Sequence, residues 1–199
     1  MSDDQKYDWN ARWRAKAADA DWQADPWLLR VLPLLHPGRT LDVACGSGRN
    51  AIFLAEHGFA VTAIDLAQEA LELLGQEAAR RSLAIETRRV DLEANPLLPA
   101  GPFDLVTGFF YLHRPLLPLL RELVRPGGLM VLRTFSRAGP FPGGPGNPDF
   151  VLNPGELLEI FRDWEILLHE EGLEPAKKGG SLAGIVARRP AAAHIGAAP

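Results

Sequence analysis

A single cysteine, Cys45, stands in 199 residues, and that scarcity excludes two chemistries at once. No internal disulfide can form and no thiolate cluster is present for zinc, so a reducing cytoplasm is the expected compartment. Nowhere do His, Cys, Asp or Glu fall at metal-ligand spacing, so no metal is expected. Apolar runs stop short of the roughly 20 residues that a membrane span needs, and no membrane partner is expected. Residues 1–23 are polar and tryptophan-rich, unlike a signal peptide. Basic excess is missing too. The 21 Lys and Arg against 25 Asp and Glu give a net charge of −4 and argue against a nucleic-acid partner. No repeat is visible. With 47% hydrophobic and 23% charged residues, the chain suits one globular α/β domain.

Against these absences stands Leu41-Asp-Val-Ala-Cys-Gly-Ser-Gly-Arg-Asn50, a short apolar strand that stops at two glycines and turns into a helix. Gly46 and Gly48 allow positive φ and let a ligand approach bare backbone, while the amides opening the next helix point outward as donors. The spacing from Gly46 to Ala51 also fits a loose dinucleotide fingerprint.

The rest of the chain is expected to alternate strands and helices. Residues 1–25 form an aromatic leader with Tyr7, Trp9, Trp13 and Trp22; Trp9 and Trp13 share a face if the segment is helical. The leader reads either as a helix stapled to the domain or as a lid. A main domain over 26–190 follows, and 191–199 reads as a flexible tail. Pro26 opens a packing helix. Strands are expected at 40–45, 60–65 and 85–92, helices from 49 and over 68–81, and a central strand early in 103–112. A helix over 116–124 leads through Arg125-Pro-Gly-Gly128 to a strand at 129–135. The glycine- and proline-rich stretch 139–148 is a candidate lid or substrate loop. Two closing strands, 164–169 and 182–188, are expected to pair antiparallel across Glu170-Glu171-Gly172 and Lys177-Lys-Gly-Gly180.

In such a chain the ligand crevice lies beyond the carboxyl ends of the strands. The glycine loop, Asp65, Asp91 and the stretch from Phe109 to His113 all fall at strand tips. Asp65, nineteen positions after Gly46, is placed to accept hydrogen bonds from ribose hydroxyls. These residues resemble the motifs of class I S-adenosylmethionine-dependent methyltransferases. Leu41-Asp-Val-Ala-Cys-Gly-Ser-Gly is similar to their first motif, Val61 to Asp65 to the second, and Val90-Asp91-Leu92 to the third. Phe103-Asp-Leu-Val and Leu123-Val-Arg-Pro-Gly-Gly-Leu-Met-Val-Leu132 match the fourth strand and the turn before the fifth. The resemblance implies a Rossmann-like α/β fold. Its seven-stranded sheet would be mostly parallel, with helices on both faces and the last strand antiparallel. The implied cofactor is S-adenosyl-L-methionine, leaving as S-adenosyl-L-homocysteine. Its contacts would fall on Asp42, Ala44, Gly46, Gly48, Arg49 and Asn50, then on Asp65 and Leu66 near the ribose, Asp91 and Leu92 at the adenine, and Phe109. Residues 147–161 and the aromatic leader look similar to the tellurite-resistance and thiopurine-type branch, which acts on small soft acceptors. The sequence departs from that branch at Phe110-Tyr-Leu-His-Arg-Pro115.

Methyl transfer is an in-line displacement in which alignment and a dry pocket supply much of the rate. A hydroxyl or protonated nitrogen acceptor needs a base, for which His113 and then Tyr111 are best placed; a soft chalcogen or thiol needs neither. Trp9, Trp13, Tyr111, His113, Arg114 and Arg133 are the candidate acceptor contacts, Arg133 for an acidic substrate or else a surface salt bridge. Asp42, a carboxylate between Leu41 and Val43 in a central strand, must be hydrogen-bonded or paired, so it orders the loop or meets the cofactor's ammonium. Cys45 reads as small filler. Two other readings stay open. One is an NAD(P)-dependent oxidoreductase, which the same glycine loop and acid would serve; the other is a cofactor-binding regulatory protein without catalysis.

Overall fold

A computed structural model describes residues 8–16, 21–94 and 96–191. Tyr7 and all but the first residue of the expected tail lie outside these. The chain folds as two compact units, one ending at Pro99 and the other starting at Ala100. Hydrogen bonding orders the strands β3 (Ile85–Arg89), β2 (Ala60–Asp65), β1 (Arg39–Val43), β4 (Phe103–Phe109), β5 (Val124–Phe135), β7 (Ser181–Arg188) and β6 (Glu165–Pro175) side by side, a seven-stranded mixed sheet with β7 antiparallel to its neighbours and the other strands parallel.

In the first unit, α1 (Trp9–Lys16) is capped by Asp8, whose carboxylate accepts the Ala11 N–H at 2.9 Å. α2 (Pro26–Val31) starts at a proline and buries Trp27, Leu28 and Val31. Its cap is Asp25, which is itself buried. β1 (Arg39–Val43) pairs in parallel with β2 (Ala60–Asp65), and β2 with β3 (Ile85–Arg89). α3 (Arg49–Glu56) and α4 (Gln68–Arg80) are the intervening helices. On α3, Ile52 and Leu54 are buried as expected, whereas Phe53 is half-buried and stacks on His57 with ring centroids 4.1 Å apart. β3 ends three residues before the expected limit. Its side chains are largely exposed, as suits an edge strand, and the Val90 N–H turns back to the Asp65 carbonyl at 2.9 Å.

α4 is anchored by Glu77, a buried carboxylate that takes two bonds from Arg80 and one from Arg81 at 2.6–2.7 Å. The Arg80 hydrogen bonds, with Arg81 adding to them against the cost of burial, lower its pKa to about 2. Because the folded value lies below the ordinary one, the stabilisation is fully present above pH ~4.5 and is lost as pH falls through about 2. Glu77→Gln is expected to lower stability by about 1–2 kcal/mol at neutral pH. In denaturant titrations the gap from the parent protein should close on acidification; a gap constant down to pH 2 would dissociate Glu77 from the effect.

In the second unit, β4 (Phe103–Phe109) runs parallel to β5 (Val124–Phe135), with a register shift between Phe103 and Leu105. β5 begins five residues earlier than expected. α5 (Leu117–Leu123), α6 (Glu156–Ile160), β6 (Glu165–Pro175) and β7 (Ser181–Arg188) complete the unit. β6 corrects the expectation for 164–169: Glu170-Glu171-Gly172 does not break the strand but continues it. Glu171 is tolerated there because the Ser136 hydroxyl and the Gly155 N–H both donate to its carboxylate at 2.9 Å. The 139–148 stretch is docked on this hairpin: the Gly180 N–H donates to the Pro142 carbonyl at 2.7 Å, and Gly143 bridges Gly179.

Candidate functional site

Parallel pairing of β1, β2 and β3 brings the glycine loop, Asp65 and Asp91 to the carboxyl ends of three adjacent strands. After β1 the chain turns through Ala44, Gly46 and Gly48 at φ of 52°, 57° and 83°. The turn is closed by Gly48 N–H to the Cys45 carbonyl at 3.0 Å, and Gly48 then caps α3. Asp65 ties the loop to β2. Its carboxylate accepts the Gly46 N–H at 2.8 Å and the Ala67 N–H at 2.9 Å, fixing the loop and the entry to α4 together. Burial pushes the Asp65 carboxyl above the usual range, an effect that the N–H groups of Ala67, Gly46 and Leu66 oppose. The Leu66 carbonyl accepts the Arg89 Nε–H at 3.1 Å. Asp91 accepts the Glu93 N–H at 3.1 Å, and Leu92 is buried beside it.

Asp42 is buried on β1, opposite Ala63. Burial, with Asp42 and then Asp65 nearby, pushes the Cys45 thiol well above the usual range, which disfavours the thiolate. Arg49 and Asn50 meet Asp25: the Asn50 side-chain oxygen accepts the Asp25 N–H at 2.9 Å, and Arg49 reaches its carboxylate at 3.3 Å. Asp25, read from sequence only as the end of the leader, thus anchors the first turn of α3.

α1 places Trp13 on the loop. A Cβ at Gly46 would lie 2.7 Å from Trp13 Cζ2, so the ring rests on bare backbone. Asn10 accepts the Glu69 N–H at 3.3 Å, and Arg14 pairs with Glu69 at 2.8 Å, holding α1 on α4. Trp9 is instead 40% exposed, with the Arg12 guanidinium 5.0 Å above its ring.

In the second unit, Phe109 is buried at the end of β4, in register with Arg133. Tyr111 and His113 are half-buried in the following turn, and the Tyr111 hydroxyl oxygen is inaccessible. Arg114 forks onto Glu156 at 2.6 and 2.9 Å and onto the carbonyls of Asp149 and Val151, pinning the β4 tip to the 147–156 segment. The Arg114 hydrogen bonds lower the Glu156 carboxyl. Arg133 is not a surface residue. It is 5% exposed and pairs with Glu174 of β6 at 2.5 Å. Phe110, inside the expected strand-tip stretch from Phe109 to His113, has φ 58°. A left-handed backbone costs an L-residue about 1–2 kcal/mol. Nothing in its residue type signals that conformation.

The strand order, the glycine turn and two strand-end acids define a class I methyltransferase fold. A family model described as Tellurite resistance protein TehB matches residues 27–181. The "Probable S-adenosyl-L-methionine-dependent methyltransferase TehB" of Haemophilus influenzae is 27% identical over 145 residues, 70% of this chain and 50% of that protein. "Hemagglutinin 1" of Eikenella corrodens is 30% identical over 142 residues, 69% and 47% of the two chains. The crystal structure of TehB from H. influenzae superimposes with a TM-score of 0.73 at 21% identity, covering 83% of this chain and 62% of that one. The chain belongs to the TehB family. It spans about half the length of the curated relatives it matches.

S-adenosylmethionine is the cofactor of this family, and the first unit fits it. A partly buried carboxylate stands at the β2 tip, where a ribose would be held, and the turn beside it, with Gly46 and Gly48 at positive φ, opens α3 at its N-terminus. Among the described residues no group of three or more His, Cys, Asp or Glu side chains could hold a metal, and no helix is long and apolar enough to cross a membrane.

Proposed function

We propose that this chain transfers a methyl group to a small-molecule acceptor carrying a soft chalcogen, a thiol, or a hydroxyl or amine. The observation that supports the reading most directly is the Asp65 carboxylate on the Gly46 N–H, which couples a ribose-accepting acid to the loop. S-adenosylmethionine, when bound, supplies a methyl group on a sulfonium whose departure requires no proton. The chain then has to position and to exclude water. Asp65 would hold the ribose hydroxyls, Asp91 and Leu92 the adenine, and Gly46 to Asn50 with Asp42 the amino-acid tail; Leu66 and Phe109 would line its sides. His113 would take a proton from a hydroxyl or amine acceptor, whereas the Tyr111 hydroxyl, inaccessible in this structure, is left without that role. Trp9 and Trp13 of α1 are read as acceptor-side aromatics.

The test is calorimetry with S-adenosylhomocysteine and with NADH, followed by labelled methyl transfer to thiols, chalcogen oxyanions, phenols and amines. S-adenosylhomocysteine should bind and at least one acceptor class should be labelled; binding of NADH alone would sink the reading. His113→Ala should lower kcat about 10²-fold for a hydroxyl or amine acceptor while cofactor affinity holds. With a soft acceptor the variant should run near the parent rate. Full activity on every acceptor would leave His113 structural.

A further inference from the structure

Asp25 is a carboxylate with 4% exposure, and a charge so buried has to be paired and hydrogen-bonded. It bonds to the openings of two successive helices of the first unit. Its Oδ1 accepts the Trp27 N–H at 3.0 Å and caps α2. Its backbone N–H donates to Asn50 Oδ1 at 2.9 Å, and Arg49 Nη2 lies 3.3 Å from its Oδ2. Arg49 and Asn50 open α3 directly after the Gly48 cap, and Asn50 is itself buried. Capping α2 requires no charge, since a neutral Asn or Ser serves as well. The charge adds a hold on Arg49.

The Arg49 side chain is 30% exposed although the carboxylate it meets is shut away, so the cation is held from inside while part of it faces solvent. A guanidinium has five N–H donors, more than one carboxylate oxygen can take, and can serve a second anion without losing the first. The N–H groups that open α3 favour an anion at the same place. A flexible arginine loses rotamer freedom when an anion immobilises it; one already held by a buried carboxylate has lost that freedom on folding.

We infer that Asp25 is a positioning residue, which holds the Arg49 guanidinium ready for the carboxylate of the cofactor's amino-acid tail. The inference rests on the methyl-transfer reading above, which sets that tail along Gly46 to Asn50. Asp25 touches no ligand and acts through Arg49. Together they select ligands that carry the tail carboxylate over those that lack it.

The experiment measures by calorimetry the affinity of the full chain for S-adenosylhomocysteine and for its decarboxylated analogue, which keeps the adenosine, the thioether and the ammonium. Asp25→Asn and Asp25→Ser keep a cap on α2 and remove the charge. Each should weaken S-adenosylhomocysteine about 5- to 10-fold and leave the analogue unchanged. Arg49→Met should show the same selective loss, and the double variant Asp25→Asn with Arg49→Met should bind as Arg49→Met does, because both changes act on one contact. Equal losses for the two ligands would make Asp25 a structural residue only and overturn the inference. Unchanged or tighter S-adenosylhomocysteine binding in Asp25→Asn, the result if Asp25 chiefly repels the tail carboxylate, overturns it as well, and so do additive losses in the double variant. If thermal melts show that neither Asp25 variant folds, the residue is structural and the inference falls. A parent protein that binds neither ligand brings down the methyl-transfer reading and this inference with it. Parent binding combined with unselective variants leaves that reading standing and removes Asp25 alone.

Discussion

Asp65→Ala weakens S-adenosylhomocysteine binding by about 1–3 kcal/mol, roughly 5- to 150-fold in Kd, in the expected calorimetric result. Two losses combine. In the proposed binding mode the ribose hydroxyls lose a charged acceptor, and the Gly46 and Ala67 N–H groups lose the carboxylate that holds the loop and the start of α4 in place. Asp65→Asn separates them, since its amide oxygen can still accept one N–H while the charge is gone. It should fall between the parent and the alanine variant. The burial-raised pKa adds a pH signature. Affinity should decline on acidification from above the usual carboxylate range, because the ribose hydroxyls need the ionised acceptor. The contribution of Asp65 to folding moves the opposite way. With a folded pKa above the unfolded one, it is fully present below the ordinary value and lost as pH rises through the raised one. Cofactor affinity and fold stability should therefore diverge in that window in the parent protein and not in Asp65→Asn. Unchanged affinity in Asp65→Ala would remove the residue from the ribose.

The parts of the fold legible in the sequence are those that local physics decides. β2 and the start of α4 fall at their expected residues because a buried parallel strand and an amphipathic helix each carry their own pattern. β6 was not legible, since a pair of glutamates reads as a break until distant partners are known. Glu171 is accommodated by Ser136, 35 residues away, and by Gly155. The same limit hid the pairing of Arg133 with Glu174, 41 residues on, and the burial of Asp25 against Arg49 and Asn50. The placing of the glycine turn after β1 and of Asp65 and Asp91 at strand ends was legible because glycine marks positive φ and an acid closing an apolar run marks the strand's tip. The turn at Phe110 was not. Its backbone conformation is imposed by the hydrogen bond to Arg133, and a phenylalanine codon carries no trace of it.

Gly48→Ala is expected to be the most damaging small substitution in the first unit, and the reason is packing as much as backbone. At φ 83° an alanine is strained by about 1–2 kcal/mol. Its methyl group would also strike Leu74 of α4, whose Cδ1, Cδ2 and Cγ all lie within van der Waals overlap of the built Cβ. Because Cγ itself is only 2.8 Å away, turning the leucine to another rotamer does not relieve the clash, and Leu74 is fully buried. Overpacking of this kind costs about 1–3 kcal/mol. The sum, about 2–5 kcal/mol, corresponds to a fall in Tm on the order of 10 °C for a domain of this size. Cofactor affinity should drop with it, since Gly48 closes the loop and caps α3. Leu74→Ala alone opens a cavity and costs about 2–5 kcal/mol. Combined with Gly48→Ala, it removes the atoms that the new methyl group strikes. The double variant should therefore be more stable than the sum of the single effects by about 1–3 kcal/mol. Strictly additive losses in a denaturant double-mutant cycle would show that backbone strain, and not the contact with Leu74, keeps glycine at this position.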